Sequence, residues 1–189
     1  MSLGNRSQQE VLNSLEMMEN FKFDKITPII FWGTLLGAVR EKNFIPHDSD
    51  IDFGYVSRFK TLPEVRVEME NLYQELFDKG MLIKYFVTPN SWVTKMEKPF
   101  QGIGQAHVLT EKCYFDLFTL WFDEEGDLNS YPLLKIGKKR DYLPFQEYEI
   151  LGRKFMSINN AEMFLEKVYG SDWRTPQNKK SALKKHVVL

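Results

Sequence analysis

One cysteine, Cys113, is all that the 189 residues hold, so an internal disulfide and a cysteine-built zinc cluster are both excluded. Set among Tyr, Phe and Leu, it reads as a small core residue. An excess of charge of one sign is missing too. The 25 Lys and Arg against 26 Asp and Glu leave a net charge of −1, which argues against a general electrostatic grip on nucleic acid. No apolar run is long enough to cross a bilayer, and none of signal-peptide type lies near Met1. These absences predict a soluble, cytoplasmic protein without a transmembrane segment. Repeats, low-complexity tracts and linkers are also lacking, and with 43% apolar and 14% aromatic residues the chain has the makings of one globular core.

What is there centres on Gly33 to Gly54, GTLLGAVREKNFIPHDSDIDFG. If Thr34 to Lys42 is helical, Gly33, Gly37 and Arg40 share one face of bare backbone and a cation. A helix start without side chains in the way offers free N–H groups and a positive dipole end, suited to phosphate. Thr34 would cap that helix or hydrogen-bond the ligand. Downstream, Asp48, Asp50 and Asp52 alternate with Ser49, Ile51 and Phe53, which in a strand sends three carboxylates to one side. Such crowding is costly unless something positive sits there. Oxygen ligands alone point to a hard cation, Mg²⁺ or Mn²⁺.

The remaining elements follow from periodicity and caps. An amphipathic helix is predicted over Gln8–Asn20, and a strand over Ile26–Trp32, starting or lying at an edge because Pro28 cannot donate to a ladder. A second helix runs from the Thr61/Glu64 capping box through Val65, Met69, Leu72 and Leu76 to Gly80. Met81–Val87 and Lys112–Phe122 read as strands. Thr88–Gly104 reads as a loop or irregular hairpin, with Trp92 and Phe100 as weak candidates for substrate contact. A short strand is expected within Leu128–Leu134, a solvated basic turn at Gly137–Arg140, and a hairpin over Leu143–Phe155. The last helix is capped by Asn159 and Glu162 and ends at Gly170, with Trp173 packing it onto the core.

Asp116 stands alone among apolar neighbours in its strand and needs a partner, either an Arg or Lys or, on the reading favoured here, the metal held by Asp50 and Asp52. Asp48 has three readings of equal weight: metal ligand, partner of Arg40, or solvent-facing loop residue. His47 reads as a loop hydrogen-bonder rather than a ligand.

Taken together, Gly33-Thr34, Gly37, Arg40, Phe44-Ile45-Pro46, Asp48 and Asp50-Ile51-Asp52 resemble the LicD family, which includes the fukutin-related proteins within the nucleotidyltransferase-fold superfamily. Tyr169 to Pro176, YGSDWRTP, resembles that family's closing motif. The family usually carries Trp and another Asp where His47 and Ser49 stand. The resemblance implies an α+β fold, a nucleotidyltransferase-like mixed β-sheet flanked by α-helices in a single compact domain over residues 27–176. An N-terminal helix and lead-in over 1–26 and a basic tail over 177–189 flank it.

It also implies a metal-dependent transferase that moves a phospho-alcohol, phosphocholine or a polyol phosphate, from a CDP-activated donor to a glycan hydroxyl, as in modification of cell-surface polysaccharide. Asp50 and Asp52 would hold Mg²⁺ or Mn²⁺, with Asp48 a candidate beside them. Asp116 would help hold a second metal or accept the proton of the attacking hydroxyl. Gly33, Thr34, Gly37 and Arg40 would face donor phosphates, so that Arg40→Ala would mainly weaken donor binding. The alternatives are a nucleotidyltransferase moving NMP from ATP or CTP to a small molecule or protein, and a non-catalytic nucleotide- or glycan-binding domain of the same fold.

Overall fold

The strand β6, Tyr114–Phe122, is apolar on both faces apart from Asp116 and Thr119, so both faces must be covered. In the computed structural model, which describes residues 9, 11–13, 15–16, 26–48, 50–88, 91–94, 105–109, 114–130 and 133–176, it is central to an eight-stranded mixed sheet. The other strands are β1 (Pro28–Ile30), β2 (Asp52–Val56), β3 (Leu82–Thr88), β4 (Ser91–Thr94), β5 (Gln105–Leu109), β7 (Asp127–Ser130) and β8 (Leu133–Lys138). Their order is β1-β2-β6-β5-β3-β4, with β7 pairing β6 and β8 pairing β7. Among the described residues only β2 and β6 run parallel, and the other pairings in this sheet are antiparallel. As expected of a strand opened by proline, β1 lies at the sheet edge.

Alternation along β6 assigns the layers. Asp116, Phe118 and Leu120 point to one face, Phe115, Leu117 and Thr119 to the other. On the first face lie α1 (Trp32–Arg40) and α4 (Ala161–Tyr169): Phe31 stacks on Phe164 with centroids 4.7 Å apart, and Trp32 meets Phe118 at 5.6 Å. On the second lies α2 (Leu62–Asp78), burying Val65, Met69, Leu72, Tyr73 and Leu76. There the Thr119 hydroxyl bonds the Tyr55 hydroxyl at 3.0 Å, and burial holds the Tyr55 phenol well above its usual range. This is a single domain of mixed α+β architecture, a sheet flanked by helices.

A separate hairpin, β9 (Gln146–Ile150) and β10 (Arg153–Ser157), turns through Leu151 and Gly152, both at positive φ, as the sequence leads one to expect. Ser157 Oγ donates to the Ile30 carbonyl at 2.6 Å, tying this hairpin to the β1 edge. The short helix α3, Lys139–Tyr142, follows β8, so the expected basic turn is the end of a strand running into a helical turn. Lys138 Nζ there bonds Asp127 at 2.8 Å. The run read as one short strand, Leu128–Leu134, falls instead on two antiparallel strands, β7 and β8.

At the N-terminus, residues 9, 11–13 and 15–16 are helical and Val11 and Leu15 are buried; the rest of the predicted first helix, Phe100 and the basic tail lie outside the described residues. Trp92 sits in β4, paired with Phe86. No helix among the described residues is long and apolar enough to cross a membrane.

Candidate active site

The site forms where β1 hands over to α1. Phe31 is extended and serves as N-cap, and Trp32 turns the chain at φ 39°, a conformation that a bulky residue adopts only under strain. The helix therefore starts two residues earlier than predicted and ends at Arg40, with Lys42 at φ 53° closing the turn. Thr34 is consequently not the cap. It is 1% exposed, and its hydroxyl accepts the Asp52 backbone N–H at 2.8 Å. The Phe31 N–H donates to the Asp52 carbonyl at 3.0 Å, and the Gly33 N–H donates to Asp52 Oδ2 at 2.8 Å. The anion received by the helix start is thus Asp52 itself.

Asp52 opens β2, whereas Asp48 and Asp50 lie in the turn before it, correcting the expectation of one strand carrying all three. Pro46 and His47 turn the chain, and the Asp48 N–H bonds back to the Ile45 carbonyl at 3.0 Å. The three charges still converge on Asp52. Burial pushes its carboxyl well above the usual carboxylate range; Asp116, Asp48 and Asp50 add to the rise, and the Gly33 N–H opposes it.

Asp116 lies on β6, next to β2. It pairs in register with Asp52 across the parallel β2–β6 ladder, so both carboxylates emerge on one face of adjacent strands, and it is 4% exposed. Nδ1 of His107, its register partner on β5, meets Asp116 Oδ1. Asp52, Asp116 and His107 therefore form one row across three strands.

Gly37 is not the bare phosphate-facing position expected of it. A Cβ there would lie 2.5 Å from the Asn43 carbonyl oxygen and 3.3 Å from the Ile45 nitrogen, so Gly37 lets the 43–45 link close against α1. Arg40, 10% exposed in its side chain, pairs with Glu41 at 2.6 Å and donates from Nη1 to the Trp173 carbonyl at 3.0 Å. Arg40 thereby latches the closing segment to α1. Trp173 is 3% exposed within the core, as expected.

Arg40→Ala is expected to cost about 1.5–3 kcal/mol, the range for charge-assisted hydrogen bonds, and to raise amide hydrogen exchange across residues 170–176. Unchanged exchange there would remove the latch.

Tyr169, the last residue of α4, opens the closing motif, where the sequence gives it no role of its own. Burial raises its phenol well above the usual range; Asp52 and Asp48 add to this, Arg40 opposes it, and Asp50 adds a little more. The closing motif thus places Tyr169 within electrostatic reach of Asp52, Asp48 and Asp50.

The model of one family, described as "LicD/FKTN/FKRP, nucleotidyltransferase domain", matches residues 25–160. The chain belongs to the LicD family. That makes it a LicD domain of a transferase family with the nucleotidyltransferase fold. Among curated proteins none matches. Among solved structures, the lincosamide antibiotic adenylyltransferase LnuA with lincomycin bound is 17% identical at a TM-score of 0.46, covering 95% of this chain and 96% of that one; so distant a likeness carries no argument about chemistry.

Within this LicD domain no three His, Cys, Asp or Glu side chains among the described residues form a ready metal-ligating group. The donor chemistry nonetheless suits a hard cation: the side chains offer only carboxylate oxygens, Asp52 and Asp116 are buried, and Asp52 is raised by three like neighbours. Mg²⁺ is commonly held by one or two carboxylates and completed by water and substrate phosphates. An open carboxylate pair fits that habit better than a closed cage would.

Proposed function

We propose that this LicD domain transfers a phospho-alcohol, phosphocholine or a polyol phosphate, from a CDP-activated donor to a hydroxyl of a glycan, with Mg²⁺ or Mn²⁺ bound by Asp50, Asp52 and Asp116 and with Asp48 beside them. The observation that carries the reading is the buried Asp52–Asp116 pair in register on adjacent strands, with Asp48 and Asp50 adding their charge. Paired like charges in a desolvated site favour an arriving cation. When bound, the cation supplies charge neutralisation on the donor diphosphate.

The chain's own residues do the positioning. Gly33 and Thr34 fix Asp52 through its side chain and backbone. Tyr169 adds a phenol within electrostatic reach of Asp52 and Asp48. Arg40 holds the segment carrying Trp173 in place. In the transfer, the acceptor oxygen attacks the phosphorus bearing the alcohol, the bond to the bridging oxygen breaks, and CMP leaves. The proton of the attacking hydroxyl passes to the carboxylate cluster. Orientation and charge supply most of the effect.

Incubation with CDP-choline, CDP-ribitol, CTP and ATP, each with Mg²⁺ and an oligosaccharide acceptor, tests the reading by its leaving group. CMP released from a CDP-alcohol is expected. Pyrophosphate released from CTP or ATP would overturn it in favour of nucleotidyl transfer, and turnover of none of the four would favour a binding domain.

A further inference from the structure

Resting on the cation site proposed above, we propose that His107 is a positioning residue for Asp116: its Nδ1–H donates to Asp116 Oδ1 and fixes the orientation of that carboxylate beside Asp52. Three observations meet here. His107 and Asp116 are directly opposed in the antiparallel β5–β6 ladder, which places their side chains on one face. The imidazole nitrogen and the carboxylate oxygen are in hydrogen-bond contact. Both side chains are largely buried, 16% and 6% exposed, so water competes little for the bond.

The chemistry of the partner matters. An ionised carboxylate only accepts, so the proton of this bond belongs to Nδ1. A lysine or arginine at the same place would bring a fixed unit charge against Asp116 and offset the negative potential that attracts a cation. An imidazole can give a directed N–H without depending on that charge. The carboxylate is thereby restrained while the row Asp52–Asp116–His107 keeps its acidic end. Hydrogen bonds from outside the ligand set to a metal-binding carboxylate are a known means of aiming it.

Two variants and one spectrum test this. His107→Phe keeps a ring and removes the donor; His107→Asn restores an N–H near the place of Nδ1. With Mn²⁺ alone as the probe, followed by electron paramagnetic resonance, His107→Phe is expected to bind about 10- to 100-fold more weakly than wild type, and His107→Asn to recover most of the loss. Long-range ¹H–¹⁵N spectra of the wild-type ring are expected to show the proton on Nδ1, with its signal moved by Asp116→Asn.

Equal Mn²⁺ affinity in wild type and both variants overturns the proposal, as does Asn failing alongside Phe while both remain folded. A bare Nδ1 in the wild-type ring overturns it even where His107→Phe fails to fold. Wild type that binds no Mn²⁺ would instead sink the cation site, and the ring spectrum would then decide the hydrogen bond alone.

Discussion

Asp52→Asn is expected to abolish transfer, lowering it at least about 100- to 1000-fold, the range for losing one group that stabilises charge in a transition state, while making the folded chain more stable at neutral pH. The two effects share a cause. Asparagine is nearly isosteric and can still accept the Gly33 N–H, but it brings no charge to a place where Asp116, Asp48 and Asp50 already oppose one. In the folded state the Asp52 carboxyl titrates well above 3.8, its ordinary value. Between those two values the folded chain binds more protons than the unfolded one, so this group's contribution is fully present below the lower value and is lost as pH rises through the window. The stability advantage of Asp52→Asn should therefore be absent in acid and open as pH rises. Urea unfolding of both proteins without divalent ions, from about pH 3 to pH 8, reads it directly. A variant less stable than wild type at neutral pH would contradict the electrostatic account of Asp52.

Gly33→Ala and Gly37→Ala are expected to fail differently, although the two glycines lie on one face of one helix. At Gly33 an added methyl would come within 2.8 Å of Asp52 Oδ2 and 2.9 Å of Asp48 Oδ2. The atoms that must move are those of the site, so catalysis should fall about 100-fold or more, as misplacement of the order of an ångström can cause. At Gly37 the obstacle is the backbone carbonyl of Asn43 at 2.5 Å, which a side-chain rotation cannot relieve. There the expected loss is in stability, about 1–3 kcal/mol, as for other overpacking changes. Steady-state kinetics and thermal unfolding on both variants separate the cases. Equal loss of stability at both positions, with activity retained by Gly33→Ala, would show that Asp52 and Asp48 do not depend on the bare Gly33.

Most helices and hairpins were legible because their signals are local. Val65, Met69, Leu72 and Leu76 repeat at helical spacing between Thr61 and Gly80, and α2 fills that span. The β9–β10 hairpin is marked by Gly152. Asp116 could be singled out because an isolated carboxylate in an apolar strand needs a partner; the register sets it beside Asp52, and the contact with His107 was not legible.

What stayed hidden depends on contacts between distant segments. His107 lies on β5, in Gln105–Leu109, a run too short and mixed to announce itself as a strand; its only sequence signal is alternation around one polar residue, and its meaning depends on pairing with β6. Tyr169 is a plain last helical residue until the 170–176 segment folds back, where Arg40 reaches the Trp173 carbonyl. Gly33 and Gly37 look equivalent by spacing; what packs against each distinguishes them. The alternating aspartates imitate a strand, but Pro46 and the turn after Ile45 keep Asp48 and Asp50 out of β2.

The central claim, that the aspartate cluster holds a cation against a donor diphosphate, is tested most directly by calorimetric titration of CDP into wild type and Asp52→Asn, with Mg²⁺ and with EDTA. Binding that requires Mg²⁺ in wild type and disappears in Asp52→Asn is the expected result. CDP binding of equal strength in EDTA, or retained unchanged by Asp52→Asn with Mg²⁺ present, would contradict it.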